Sequence, residues 1–110
     1  MDELKNRVET LEYHVKLLLG MIQPVNRDFD LLVIQKGLTE EEVKDFHELC
    51  RELEEEMEEQ KAEKFVFHSP LYRQFTAGLN KKLHPKETVQ ACLNQQIYVE
   101  LMKKLWMNME

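Results

Sequence analysis

Apolar side chains recur at alternating steps of three and four from Met1 through Leu4, Val8, Leu11, Val15 and Leu18 to Ile22. This spacing predicts an α-helix over residues 2–23. It also defines a heptad, with Met1, Val8, Val15 and Ile22 at a and Leu4, Leu11 and Leu18 at d. β-Branched residues at a with Leu at d favour a parallel two-stranded pairing. Arg7 falls at g and Glu12 at e, so a parallel partner would meet an opposite charge and the pair would set register. The two halves of this helix differ. Up to His14 the apolar stripe is narrow, as in a coiled-coil seam. From Val15 onward Leu17, Leu19 and Met21 widen it, and a helix apolar on most sides is usually buried. Pro24 closes the element.

Further helices follow. Asn26 is a fitting N-cap for a short second helix carrying Phe29, Leu32, Val33 and Ile34, and Gly37 sits where such a helix ends in the left-handed conformation. Thr39 and Glu42 form a capping box, with Leu38 and Val43 as its hydrophobic staple. They predict a third helix from about residue 40 to 63, with Val43, Phe46, Leu49, Cys50, Leu53 and Met57 along its buried stripe. After Met57 the stripe fades, so the last turns are expected to project into solvent. Phe65-Val66-Phe67 is expected to be extended, plugging the end of a bundle. Ser69 and Pro70 predict another start, Pro being tolerated at the first helical position, with Leu71, Phe75, Gly78 and Leu79 on one face. His84-Pro85 with Glu87 opens a fifth helix carrying Val89, Ala91 and Cys92. A break near Gln95-Gln96 separates a last helix with Ile97, Leu101, Met102, Leu105, Trp106 and Met109. The expected fold is all-α: one helical domain over residues 1–110, a bundle of five to six helices with a long heptad-patterned first helix and a long acidic third.

The chain has 110 residues, 43% hydrophobic and 33% charged, with three Gly and three Pro. That length suits a single core, and so little Gly and Pro argues against long loops and disorder. The formal net charge is −6 and is unevenly spread. Residues 39–64 hold eleven Glu and Asp45 against Lys44, Arg51, Lys61 and Lys64, a local net of −8. Repulsion from phosphates therefore argues against nucleic-acid binding. It also argues against reading Leu31 to Glu42 as a DNA-binding helix-turn-helix, since the second helix would open Glu40-Glu41-Glu42. No apolar run reaches the roughly 18 residues of a membrane span. Met1-Asp2-Glu3 lacks the basic start of a signal peptide. Cys50 and Cys92 form no CxxC pair, so a cytoplasmic protein with reduced thiols is expected.

Catalytic signatures are absent: no G-x-S-x-G, P-loop, G-x-G-x-x-G or H-E-x-x-H occurs. His47 and Cys50 share a helical face and Glu54 could join them. A zinc site needs four ligands, or three plus water, and Cys50 on an apolar stripe behaves as a small hydrophobe. Cys92 with one of the four histidines is no better singled out. No catalytic residue, cofactor site or metal site is therefore assigned, and the chain is not expected to be an enzyme. His84 is explained as a cap position. Trp106, Met107 and Met109 could fill the core or form an adaptable contact surface.

Arg7-Val8-Glu9, Leu11-Glu12-Tyr13, Lys36-Gly37-Leu38, Gln60-Lys61-Ala62, Leu79-Asn80, Lys82-Leu83, Glu87-Thr88 and Glu100-Leu101-Met102 resemble the YhaI family of small uncharacterised proteins from Bacillus-type bacteria. The likeness covers nearly the whole chain. It implies an all-helical, soluble, intracellular protein and no particular activity.

Two functional surfaces remain. One is the heptad seam, with Leu4, Arg7, Val8, Leu11, Glu12, Val15 and Leu18 expected to carry self-association, a dimer being favoured and a trimer possible on the a and d residues. The alternative for the same stripe is packing inside the bundle, against the third helix. The other surface is acidic: Glu54, Glu55, Glu58 and Glu59 could dock on a basic protein partner, although a charge run is more commonly a solvated face.

Overall fold

The computed structural model describes residues 1–21, 27–62 and 70–109. Within them six helices follow in chain order: α1 (Asp2–Met21), α2 (Asp28–Lys36), α3 (Glu40–Ala62), α4 (Leu71–Gly78), α5 (Pro85–Gln95) and α6 (Val99–Met107). No strand occurs among the described residues, and the protein is an all-helical bundle. The expectations for Ile22, Pro24, Asn26, Phe65-Val66-Phe67 and Ser69 fall outside the described residues.

Packing follows the apolar stripes. α2 lies against α5, α5 against α6, and α3 against both α4 and α6. The core joins Phe29 and Leu32 of α2 to Phe46, Cys50, Leu53 and Met57 of α3. Leu71 and Phe75 come from α4, Val89, Ala91 and Cys92 from α5, and Leu101, Met102 and Leu105 from α6. Phe46 is its aromatic centre: its ring stacks on Phe29 at 4.8 Å between centroids and meets Phe75 edge-on at 6.5 Å. Such pairs add about 0.5–1.5 kcal/mol beyond the area they bury. Gly78 permits the close approach of α4 to α3, because a Cβ there would lie 2.8 Å from Leu49 Cδ1.

The starts and stops are chemically distinct. Gly37 (φ 70°) ends α2 in the left-handed region. Its N–H donates to the Ile34 carbonyl and the Leu38 N–H to that of Val33, a Schellman closure. The capping box forms as its sequence predicts: the Glu42 N–H donates to Thr39 Oγ1 at 3.1 Å and the Thr39 N–H to Glu42 Oε1 at 2.9 Å. Glu42 does more than cap. Its Oε1 also takes a 2.8 Å bond from Lys82 Nζ and its Oε2 a 3.0 Å bond from Asn80 Nδ2. One carboxylate thus ties the start of α3 to the loop between α4 and α5. Pro70 stands at the N-cap of α4, one position before the first helical residue where its ring was expected. His84 is the N-cap of α5, with Pro85 as the first helical residue. Its carbonyl accepts from the Thr88 hydroxyl at 2.8 Å, which satisfies a fully buried polar side chain.

The break near Gln95-Gln96 is a second Schellman closure, with Gln96 (φ 63°) where glycine would be unstrained. Two residues on, Tyr98 (φ 51°) repeats the left-handed conformation at the N-cap of α6. Two such non-glycine residues so close together cost about 1–3 kcal/mol each, and persist only where packing holds them. Ile97 therefore lies outside α6, packed against the core from the turn. Trp106 and Met107 are exposed, and Met109 packs partly onto the core.

The Glu42 hub sets a pH dependence. The hydrogen bond from Lys82, then those from the Thr39 backbone and Asn80, lower its pKa from 4.5 to about 2. The stability this carboxylate contributes is therefore complete above pH 4.5 and is lost as the pH falls towards 2. In urea melts, Glu42→Gln is expected to be less stable than the parent at pH 7, with the gap closing between pH 4.5 and 2. A gap that stays constant over that window would contradict the assignment.

Candidate functional site

α1 is helical for local reasons. Leu, Glu and Lys make up half of it, and Asp2 and Glu3 place negative charge on its first turn, where the helix dipole favours it. Yet none of its residues is buried. Leu4 and Leu11 are about 60% exposed, Val8 and Val15 about 45%, and Leu18 56%. Leu17 and Met21 are exposed as well, and only Leu19 is half-buried. The stripe of α3 meanwhile packs on α4 and α6 and not on this seam. The heptad residues from Met1 to Leu18 thus form one continuous apolar stripe on the outside of the chain, with Arg7 and Glu12 exposed beside it. An isolated helix of this length is marginal in water, because nucleation is costly and most helical stability comes from packing one face.

The acidic surface is real but mixed. Glu55, Glu58 and Glu59 are exposed on α3, whereas Glu54 is half-buried. Met57 is buried, so the inward stripe persists to that turn, and Gln60 is half-buried beyond it. Lys61 lies 3.3 Å from Glu58 and 3.7 Å from Glu100, pairs that solvent and salt weaken.

The metal-like trio comes apart chemically. Cys50 and Cys92 are both fully buried free thiols. Burial pushes the Cys92 thiol up to about 12 and raises Cys50 further, by desolvation first and then by the nearby Cys92 and Glu54. Neither supplies a thiolate, the form that attacks or binds metal. Among the described residues no group of three or more His, Cys, Asp or Glu could hold a metal ion.

His47 has a different role. Its Nδ1 lies 2.7 Å from the Tyr98 hydroxyl, and its ring stands beside those of Phe29, Phe46 and Tyr98. Desolvation raises the Tyr98 phenol above its ordinary value. This bond holds the strained turn onto α3. Beside it opens a groove of about 350 Å³, lined by Phe29, Val33, Ile34, Val43, His47 and Ile97, with Asp30 and Gln95 at its polar edge. Gln95 clasps Asp30 twice: its Oε1 accepts from the Asp30 N–H at 3.0 Å, and its Nε2 donates to Asp30 Oδ1 at 3.1 Å. Sequence reasoning missed this groove. Its walls come from α2, α3 and the α5–α6 turn, and the residues that join them across the fold carry no local signal. The only trace was the break at Gln95-Gln96.

None of the described helices is long and apolar enough to cross a membrane. The profile of a family of proteins of unknown function, DUF1878, matches residues 1–110, and the chain belongs to that family.

Proposed function

We propose that this is a non-enzymatic, self-associating interaction or regulatory protein of the cytoplasm, and that α1 is its subunit contact. The narrower likeness to the YhaI proteins of Bacillus-type bacteria belongs to the same proposal. The observation that carries it is the unburied heptad. Leu4, Val8, Leu11, Val15 and Leu18 lie along one exposed side of a helix that the other described residues do not cover. Burying an exposed Leu or Val contributes about 1.5–3 kcal/mol, so a seam of five per helix can outweigh the cost of association. A second copy supplies a matching seam. In a parallel pair Arg7 of each copy faces Glu12 of the other, which adds register to affinity. A dimer is favoured by the a and d residues, and a trimer is the next choice.

A second reading attaches to α3. Exposed Glu55, Glu58 and Glu59, with Glu54 at their inner edge, present negative charge suited to a basic protein surface, as an adaptor or inhibitor would. Such a contact forms quickly and weakens with salt. No nucleic acid, metal or cofactor is part of either reading.

Light scattering tests the first reading. At tens of micromolar the parent should show a multiple of 13.2 kDa, and Leu11→Glu should return it to 13.2 kDa with the α2–α6 core intact. A monomeric parent would sink the reading. For the second, a partner captured at low salt should be lost in high salt and after Glu55, Glu58 and Glu59 become Gln. Retention under both conditions would remove it.

A further inference from the structure

A two-stranded seam covers only part of the apolar surface of α1. At about 100° per residue, Met1, Leu4, Val8 and Leu11 fall within an arc of about 80°. Val15, Leu17, Leu18, Leu19 and Met21 span about 200°. A paired helix covers a and d and leaves c outside, so Leu17 at c stays in water in a simple coiled coil, and Met21 at g lies only at its margin. Leu17 is 44% exposed and Met21 75%.

The chain carries a second uncovered apolar surface, the groove between α2, α3 and the α5–α6 turn. Ile34 on its wall is 51% exposed, and Val33, Val43 and Ile97 are half-buried. Connectivity keeps the two surfaces close. Residues 22–26 separate Met21 from Arg27, a span of about 20 Å at most, and Phe29 and Asp30 already line the groove. In a parallel pair both helical bodies follow from the same end of the seam. The wide half of each α1 then adjoins both bodies, and the narrow half points away from them. No residue of the chain's own α1 lines the groove.

We propose that, in the self-associated protein, the outer face of the C-terminal half of α1 around Leu17 and Met21 docks into the Val33–Ile34–Val43–Ile97 groove of a second copy. This contact rests on the self-association reading and deepens it. Each copy gives one helix face and receives one, so the contact closes on itself under two-fold symmetry. It also explains why the apolar arc widens only towards the body.

The test is a charge-exchange cycle read by sedimentation equilibrium. Leu17→Glu and Ile34→Lys are each expected to weaken dimerisation about tenfold or more, with helix content unchanged by circular dichroism. The double variant should recover part of the loss, because the new charges would face each other across the contact. Should either variant unfold, Leu17→Ser and Ile34→Ser run the same cycle, the double then losing less than the product of the singles. Unchanged affinity for the single variants, with Leu11→Glu still monomeric, overturns the groove contact and leaves the seam standing. Losses that multiply without recovery overturn it too. A parent that stays monomeric overturns both.

Discussion

Uncovered apolar surface on α1 is the constraint on which the account depends. Hydrophobic burial is the dominant favourable contribution to folding, and it grows with the area removed from water. The helices α2 to α6 satisfy it among themselves, around Phe46, Phe75, Leu101, Met102 and Leu105. α1 does not share in that core, although its stripe is as regular as any in the chain. A helix of this kind gains its stability from what it packs against. The proposed cover is a second copy, which brings a matching seam.

The body supports this arrangement by being self-sufficient. α3 is its spine, capped at one end by Thr39 and Glu42 and tied through Glu42 to Lys82 and Asn80. Its inward stripe from Phe46 to Met57 is buried against α2, α4 and α6, and only Val43 at its start borders the groove. The buried thiols fit the same picture. Cys50 and Cys92 fill volume among aliphatic and aromatic neighbours, and their desolvation keeps them protonated. Among the described residues, backbone strain is confined to the turn around Ile97, where the His47–Tyr98 bond and core packing hold two left-handed residues in place.

Much of the fold was legible in the sequence because its signals are local. The capping box at Thr39 and Glu42, the glycine closure at Gly37 and the proline at the start of α5 each act within four residues, and each appears as the pattern requires. The three-and-four stepping of α1 and α3 is equally local, but it says only that a face is apolar and not what covers it. That is why α1 could be read either as bundle core or as a seam. Long-range pairings were invisible for the same reason. Nothing around Lys82 announces that it reaches Glu42, and nothing around Tyr98 announces His47. The exposure of Trp106 and Met107 was open as well, since α6 has enough apolar residues to bury Leu101, Met102 and Leu105 without them.

Amide hydrogen exchange of α1 across a range of protein concentrations tests the central claim most directly. Amides from Lys5 to Leu18 should exchange quickly in dilute protein and become protected as concentration rises, while those of the interior of α3 and α5 keep a constant protection. Fast exchange throughout α1 at every concentration, beside a protected body, would contradict the account.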